Sequence, residues 1–345
     1  MKNTVALIPL FQQFIQDCRL GKRLKKNGEK ITPGTISNYT YTLNNLEHFA
    51  TDTGFDLRIC EANKLNKRER ISEKNYWKRF YTKFTTYLYG KGCYDNYVGA
   101  NIKHLRAFFN YLNRDKDFNT GNFHNLFYVR KEEIDILVLS PDRLRFLIHD
   151  VGFHQSLSSS GKKIKDAFVF GCTTGLRYSD LFRLTNKNFE RQLGNWYLKL
   201  RSKKTKTHTL IKLPDYAVKI YKLYKPKSNN QPIFGSLSLF VFNRSLKLLG
   251  EKAGFTEPIN VTRERLGQAK KKVNGKQLRF CDKMSSHMMR RTAITTHLIL
   301  GMPEHLVRNL SGHSKTSTSF NRYVYYAQPY IDTEIEKVHM KLESF

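Results

Sequence analysis

Four short segments in the second half of the chain carry side chains that could bind and attack a phosphate. They read TGLRYSD, SKKTKT, SHMMRRT and SGHSKTSTSFNRY, in that order. Arg177 and Arg290 lie in the first and third segments, and two guanidiniums can hold both non-bridging oxygens of a phosphate through paired hydrogen bonds. Fixed cations also stabilise the charge that grows as phosphorus becomes pentacoordinate. These residue types therefore indicate transfer at a phosphodiester.

The third and fourth segments add two histidines and a phenol. His287 lies three residues before Arg290, so the two share one face of a helix. Tyr323 follows His313 in the last segment. A free phenol has a pKa of about 10 and attacks weakly at neutral pH, so it needs neighbouring cations and a proton acceptor. Tyr323 is the candidate nucleophile, and the nearby Tyr325 and Tyr326 stay open as alternatives.

The order and content of these segments resemble the tyrosine recombinase family, which includes phage integrases, chromosome-dimer resolvases and the integrases of conjugative transposons. The resemblance covers roughly residues 139–326 and is closest in kind to an integrase of a bacterial mobile element of the conjugative-transposon type. It implies a site-specific DNA recombinase for integration, excision or inversion. The implied reaction passes through a 3′-phosphotyrosine and a Holliday junction, and uses no metal, ATP or other cofactor.

The resemblance also implies roles for individual residues. The implied catalytic set is Arg177, Lys204, His287, Arg290, His313 and Tyr323, with Asp180 as a supporting acid. In this family the second histidine position, here His313, hydrogen-bonds the phosphate and helps to manage the proton of the nucleophile. Tyr323 matches the family's FNRY-like ending, although its interval of 10 residues from His313 is one longer than the commonest family spacing.

The lysine-rich segment SKKTKT is predicted to form the tip of a β-hairpin. The family's catalytic lysine protonates the departing 5′ oxygen, and Lys204 takes that place because Thr205 and a strand follow it. Lys203 and Lys206 lie on the same tip, so the assignment among the three lysines stays open. Residues predicted to contact DNA are Lys203, Lys206, Lys270, Lys271, Lys272 and Arg291, the last with packing as its alternative role.

Composition favours a polyanionic partner. The chain has 345 residues, with 60 Lys+Arg against 29 Asp+Glu and a formal charge of +31. Each basic side chain laid on a phosphate releases condensed counterions, so double-stranded DNA is the expected partner. Five scattered cysteines without a CxxC pair predict neither a disulfide framework nor a metal site, and no segment resembles a membrane span. We expect a cytoplasmic, nucleoid-associated protein.

The hydrophobic pattern predicts mainly α-helices with a small antiparallel β-sheet. Helices are expected from Val5, after Thr32 and Pro33, and through two stretches rich in aromatic residues around Trp77 and Phe108. Those aromatic stripes are interpreted as core, with DNA contact as the alternative. A helix after Ser140, a hairpin from NWYLKL and HTLIKL, and a second basic hairpin across NVTRERLGQAKKKVNGKQLRF complete the pattern.

The predicted organisation is a helical core DNA-binding domain at 1–118, a linker at 119–138 and a catalytic domain at 139–345. The resemblance makes the first domain SAM-like and implies a C-shaped clamp on DNA. It also implies a homotetramer on paired DNA sites, in which a C-terminal tail helix packs into a neighbouring protomer, and accessory factors that bend DNA or set directionality. The competing hypotheses are a DNA-binding regulator with a decayed recombinase fold, a type IB topoisomerase, and a metal-dependent nuclease or transposase.

Overall fold

The computed structural model describes residues 4–201, 208–270, 277–313 and 317–343. The helices are α1 (Leu7–Leu20), α2 (Pro33–Thr53), α3 (Lys67–Gly90), α4 (Asp95–Asp115), α5 (Pro141–His149), α6 (Val151–Ser156), α7 (Ser159–Thr174), α8 (Tyr178–Leu181), α9 (Asp215–Tyr224), α10 (Leu239–Lys252), α11 (Ser286–Ile299), α12 (Glu304–Ser311), α13 (Thr318–Tyr326) and α14 (Gln328–Glu343). The strands are β1 (Thr4–Ala6), β2 (Arg58–Cys60), β3 (Phe189–Gln192), β4 (Asn195–Arg201), β5 (His208–Lys212), β6 (Pro258–Ile259), β7 (Arg263–Arg265), β8 (Gln268–Lys270) and β9 (Leu278–Arg279). The predicted class, mainly helical with small antiparallel sheets, is confirmed.

The chain divides into two compact units. The first contains the described residues of 1–134 and 262–273, and the second contains those of 135–261 and 274–345. The domain boundaries predicted from the sequence stay a prediction. Within the ranges that the structure describes, no helix has the length and apolar character needed to cross a membrane.

The first unit is a helical bundle around an aromatic core. Thr32 caps α2 through its side chain, with Pro33 in the first turn, and Asn66 and Glu69 form a capping box at the start of α3. The buried rings include Phe11, Phe14, Phe49, Trp77, Phe80, Phe84, Phe108 and Phe109. Trp77 meets Phe109 edge to face, with 5.0 Å between ring centroids. The interpretation of the aromatic stripes as core is therefore confirmed.

The predicted start of the first helix is wrong by two residues. Val5 lies in β1, where it pairs with Ile59 of β2 in an antiparallel register, and α1 begins only at Leu7. Apolar spacing alone cannot separate a short strand from the first turn of a helix, because the strand depends on a partner more than fifty residues away.

The second basic hairpin is confirmed and consists of β7 and β8, which belong to the first unit. Two buried carboxylates hold it there. Glu132 accepts two hydrogen bonds from the Arg263 guanidinium, at 3.1 and 2.7 Å, and a third from the Glu264 amide. Asp95 accepts hydrogen bonds from the amides of Leu266 and Gly267 at the tip.

The second unit is built around the contact of α7 with α11. Gly171 makes this contact close, because a Cβ atom there would lie 2.3 Å from the Sδ atom of Met289. Strands β3, β4 and β5 form an antiparallel sheet beside these helices. The predicted hairpin of β4 and β5 is confirmed, with Arg201 opposite His208. The segment predicted to form its tip, with Lys203, Lys204 and Lys206, lies outside the described residues.

Candidate active site

The turn after α7 brings the first arginine to the candidate site. Helix α7 ends at Thr174 and is capped by Gly175, whose φ of 67° is left-handed, a conformation that costs a glycine little. The chain reverses there, and Arg177 becomes the half-buried residue that precedes α8. The carbonyl of Gly175 accepts a hydrogen bond of 3.1 Å from Nη1 of Arg290 on α11. This turn therefore brings the TGLR segment to the second arginine.

Arg290 is the buried centre of the candidate site, with 6% of its surface exposed. Its Nη2 atom donates to the carbonyl of Ser311 and lies 3.4 Å from Nδ1 of His313. Burial, and after it the positive charge of Arg177, lowers the pKa of Arg290 to about 10, so the guanidinium stays protonated at neutral pH. Two neighbouring cations in partly dry surroundings repel each other, and an anion bound between them would relieve that repulsion.

His313 follows the end of α12, which Gly312 closes in a left-handed conformation. Its Nδ1 atom lies 2.8 Å from Oγ of Ser311. Burial, followed by the charges of Arg290, Arg177 and Arg308, lowers the pKa of His313 to about 4. The ring is therefore neutral at pH 7, because each of these causes disfavours the imidazolium form.

Tyr323 lies on α13 with its ring against His313, at 5.9 Å between centroids, and only 7% of its surface is exposed. Its apolar neighbours form a small cluster of Ile136, Ile294, Leu298, Val307, Phe320 and Ala327. The two alternative tyrosines are placed differently. Tyr325 is 73% exposed, and Tyr326 donates a hydrogen bond of 2.8 Å to Asp135. Burial beside the histidine therefore distinguishes Tyr323 from both.

Two further predicted residues lie around this group. Asp180 is buried, accepts a hydrogen bond of 3.1 Å from Arg183, and its negative charge raises the pKa of Arg290. His287 is exposed in the first turn of α11, three residues before Arg290. The structure thus brings Arg177, Arg290, His313 and Tyr323 together and places Asp180 close enough to act on Arg290.

The residues predicted to contact DNA are described only in part. Lys270 is exposed on β8, whereas Lys271 and Lys272 lie outside the described residues, as do Lys203, Lys204 and Lys206. Arg291 is half-buried; burial lowers its pKa, and the Tyr323 phenol, its first charge partner, opposes that effect. Arg291 therefore interacts with the candidate nucleophile, which its sequence position alone did not reveal. Over the described ranges, no group of three or more potential metal ligands occurs.

Sequence reasoning assigned no role to Ser311, which contacts both Arg290 and His313. Its side chain is buried and its carbonyl accepts from the guanidinium. The SGH triplet could have pointed to this role of Ser311. A serine in the last turn of a helix can hydrogen-bond to a backbone carbonyl of that helix or to the residue after the cap. The arrangement as a whole offers an anion site, a proton acceptor and a buried phenol.

The sequence profile of the phage integrase family matches residues 147–328, just over half of the chain. This range contains Arg177, Arg290, His313 and Tyr323. No curated protein sequence matches the chain.

Several solved structures are similar to the chain over most of its length. A lambda integrase tetramer bound to a Holliday junction has a TM-score of 0.61 and 15% identity, covering 93% of this chain and 78% of that chain. The XerH site-specific recombinase bound to palindromic difH substrate has a TM-score of 0.59 and 12% identity, covering 95% of each chain. The Tn1549 transposon integrase in complex with transposon right end DNA has a TM-score of 0.60 and 16% identity, covering 97% and 100%. At these identities the likeness is one of fold.

Proposed function

This chain belongs to the phage integrase family, and on that premise we propose that it is a site-specific tyrosine recombinase whose nucleophile is Tyr323. The observation that carries the proposal is the buried Tyr323 ring against His313, which in turn contacts Arg290. Arg177 lies close enough to lower the pKa of both Arg290 and His313. A nucleophile, a proton acceptor and two anion-binding cations therefore meet in one place.

In the proposed cleavage step, Arg177 and Arg290 hold the scissile phosphate and Oη of Tyr323 attacks it. The Oη–P bond forms and the P–O5′ bond breaks, which leaves a 3′-phosphotyrosine and a 5′ hydroxyl. Because the phosphotyrosine is itself a phosphodiester, attack by a 5′ hydroxyl can reseal a strand without ATP. The guanidiniums lower the barrier because the phosphorane carries more negative charge than the bound phosphate.

Lys204 is proposed as the acid that protonates the departing 5′ oxygen. An alkoxide is a poor leaving group, so a proton donor in reach of that oxygen speeds its departure. The pairing of Arg201 with His208 supports this role, because the two described residues that flank the lysine segment lie opposite each other in the β4–β5 register. Lys203 and Lys206 are the alternatives, and alanine substitution of each lysine in turn distinguishes them.

The proposed substrate is double-stranded DNA that carries specific recombination sites. The formal charge of +31 supports a polyanionic substrate. The similar XerH and Tn1549 structures, both complexes with DNA, support the same substrate class by analogy of fold.

The proposed active assembly is a tetramer on two paired DNA sites, with half of its active sites cutting at a time. Helix α14 supports it, because its Ile335, Val338 and Leu342 are 50%, 55% and 65% exposed. An apolar face of this kind is stabilised by burial, and a neighbouring protomer provides the surface. The tetramer of lambda integrase on a Holliday junction is the matching precedent among similar folds.

The test is covalent trapping on a nicked duplex, in which cleavage releases a short fragment and prevents resealing. The duplexes are made from the DNA that borders the gene, since integrases commonly act on sites beside themselves. The wild-type protein should become attached to the 3′ phosphate, and the attachment should persist in a metal chelator. Tyr323→Phe should abolish the covalent product and retain DNA binding.

Tyr325→Phe and Tyr326→Phe are the matched controls, because each removes one phenolic hydroxyl from the same helix. Both should still trap DNA. Trapping by Tyr323→Phe together with its loss in either control would contradict the assignment of the nucleophile. Relaxation of supercoiled DNA without exchange between two sites would favour a type IB topoisomerase.

A further inference from the structure

The side chain of Ser311 contacts the candidate catalytic histidine from the end of α12. Only 3% of Ser311 is exposed, so water cannot replace the partners of its hydroxyl group. Its Oγ atom lies 2.7 Å from the carbonyl of Val307, 3.2 Å from the carbonyl of Arg308 and 2.8 Å from Nδ1 of His313. One hydroxyl proton has to serve these three neighbours.

A hydrogen-bond count decides where that proton lies. A serine hydroxyl donates once, and a carbonyl oxygen can only accept. If the proton pointed at Nδ1 of His313, Oγ of Ser311 and the Val307 oxygen would face each other at 2.7 Å without a hydrogen between them. If it points at Val307, the 2.7 Å contact is a hydrogen bond. The 2.8 Å contact with His313 then requires a proton on Nδ1.

Among the described residues, Arg290 makes a contact that opposes this arrangement. Its Nη2 atom lies 3.4 Å from Nδ1 of His313, and a guanidinium can only donate. That distance is long for a hydrogen bond, and the same Nη2 atom already donates to the carbonyl of Ser311. The two short contacts of the hydroxyl therefore outweigh the long contact of the guanidinium.

We propose that Ser311 is a positioning residue that holds His313 in the tautomer with its proton on Nδ1, so that Nε2 presents a lone pair. The assignment of that lone pair to the proton of Tyr323 rests on the proposed recombinase function. As the Tyr323 Oη–P bond forms and the P–O5′ bond breaks, the phenolic proton passes to Nε2, while the proposed lysine supplies a proton to O5′. The resulting imidazolium donates from Nδ1 to Ser311 and from Nε2 to a phosphate oxygen.

The charged surroundings keep the ring neutral until that step. Among the described residues, the charged and titratable groups that act on or pack against it are Arg290 on α11, Arg177 before α8, Arg308 on α12 and Tyr323 on α13. The three cations disfavour an imidazolium, and the pKa of about 4 agrees with them. A bound phosphodiester adds a negative charge and removes part of this penalty, so His313 becomes a better base once substrate is present.

The first measurement is nitrogen NMR of the full-length protein with labelled histidine side chains. The resonances of His313 among the 11 histidines are identified with His313→Gln. We expect a protonated Nδ1 and an unprotonated Nε2 at pH 7 in the wild-type protein. A proton on Nε2 would overturn the proposal, whether or not the protein recombines DNA.

Variants then test whether Ser311 causes the tautomer. In Ser311→Ala, the nearest partner of Nδ1 is the guanidinium donor, so the proton should move to Nε2 in most molecules. Ser311→Thr keeps the hydroxyl and should keep the wild-type pattern. Thr295→Val is a matched control, because it removes another buried hydroxyl that bonds back to its own helix, at 3.0 Å from the carbonyl of Arg291. An unchanged tautomer in folded Ser311→Ala would contradict the role of Ser311.

The second measurement is the rate of covalent trapping in a single turnover. Ser311→Ala should cleave about 10- to 100-fold more slowly at unchanged DNA affinity, since proton transfer in a transition state contributes about 100-fold or more. Ser311→Thr should restore the rate. If the wild-type protein forms no covalent product, the proposed function fails while the NMR result still decides the tautomer. Should Ser311→Ala not fold, the wild-type spectrum and Ser311→Thr still provide the test.

Discussion

The backbone carbonyls that accept hydrogen bonds from Arg290 define the role of this residue. Arg290 donates to the carbonyls of Gly175 and Ser311, which hold its guanidinium in one orientation beside His313. A lysine carries its three donors on a single nitrogen, so it lacks the planar fork that reaches two fixed carbonyls from separate nitrogens. The preorganised fork, and not the positive charge alone, is therefore the feature that we expect to matter for the reaction.

Replacement of Arg290 by lysine, or of Arg177 by alanine, should slow cleavage by about 100- to 1000-fold, the usual cost of one preorganised donor. DNA affinity should change by no more than about threefold, because many other phosphate contacts contribute to binding. Single-turnover trapping and a gel-shift titration at one salt concentration measure the two quantities. Arg191→Lys, on an exposed part of β3, is the control. Equal losses of affinity and rate would instead indicate a binding or folding role.

Among the elements, the β7–β8 hairpin is held by specific polar contacts. Glu132 is buried, and burial alone would raise its pKa, yet the hydrogen bonds from Arg263 and the Glu264 amide lower it. The carboxylate is therefore charged in the folded protein and depends on Arg263 for compensation. Stacking of the Arg263 guanidinium on Tyr94, at 4.3 Å from the ring centroid, adds a second contact.

Removal of the Arg263 side chain should destabilise the first unit by about 3–5 kcal/mol, because it leaves a buried carboxylate without its cation. The chain has two tryptophans, of which Trp77 is buried in the first unit and Trp196 belongs to the second. In a Trp196→Phe background, fluorescence during urea unfolding therefore reports on the first unit. Lys270→Ala, an exposed position on the same hairpin, should leave the midpoint unchanged. A similar midpoint for Arg263→Ala and Lys270→Ala would refute the compensation argument.

At the scale of the whole molecule, we expect the positive charge to act on DNA binding and the tail helix α14 to act on the pairing of two DNA sites. A field of +31 attracts any duplex and weakens with salt, so it contributes to binding without selecting a site. The exposed apolar side chains of α14 contribute nothing to that attraction. They are instead suited to contacts between protein chains, which are needed only when two DNA sites are brought together.

Deletion of residues 331–345 should therefore retain binding to a single site and weaken the pairing of two sites and strand exchange. Native gels and a recombination assay measure these steps separately. Val338→Asp, which puts a charge on the exposed apolar face, should reproduce the defect, whereas the neighbouring His339→Asp should not. Recombination at the wild-type rate by both the deletion and Val338→Asp would exclude a role of the tail in assembly.

Local physics made much of the fold predictable from the sequence. The cap at Thr32 with Pro33, the aromatic stripe around Trp77 and the β4–β5 hairpin depend on residues within a few turns or one hairpin, so their patterns are visible in the chain. The order of the arginine, histidine and tyrosine motifs was likewise enough to predict the family, and the family match confirms it.

Tertiary packing decided those features of the fold and the site that depend on residues far apart in the sequence. Val5 forms a strand only because Ile59 pairs with it, and the β7–β8 hairpin joins the first unit only because Asp95 and Glu132 accept its hydrogen bonds. Burial distinguishes Tyr323 from the exposed Tyr325, although the two share one helix. The contacts of Ser311 with Arg290 and His313 arise where α11 meets the end of α12. Hydrogen-bond geometry and burial across separate elements have no local pattern, so only the folded chain could reveal them.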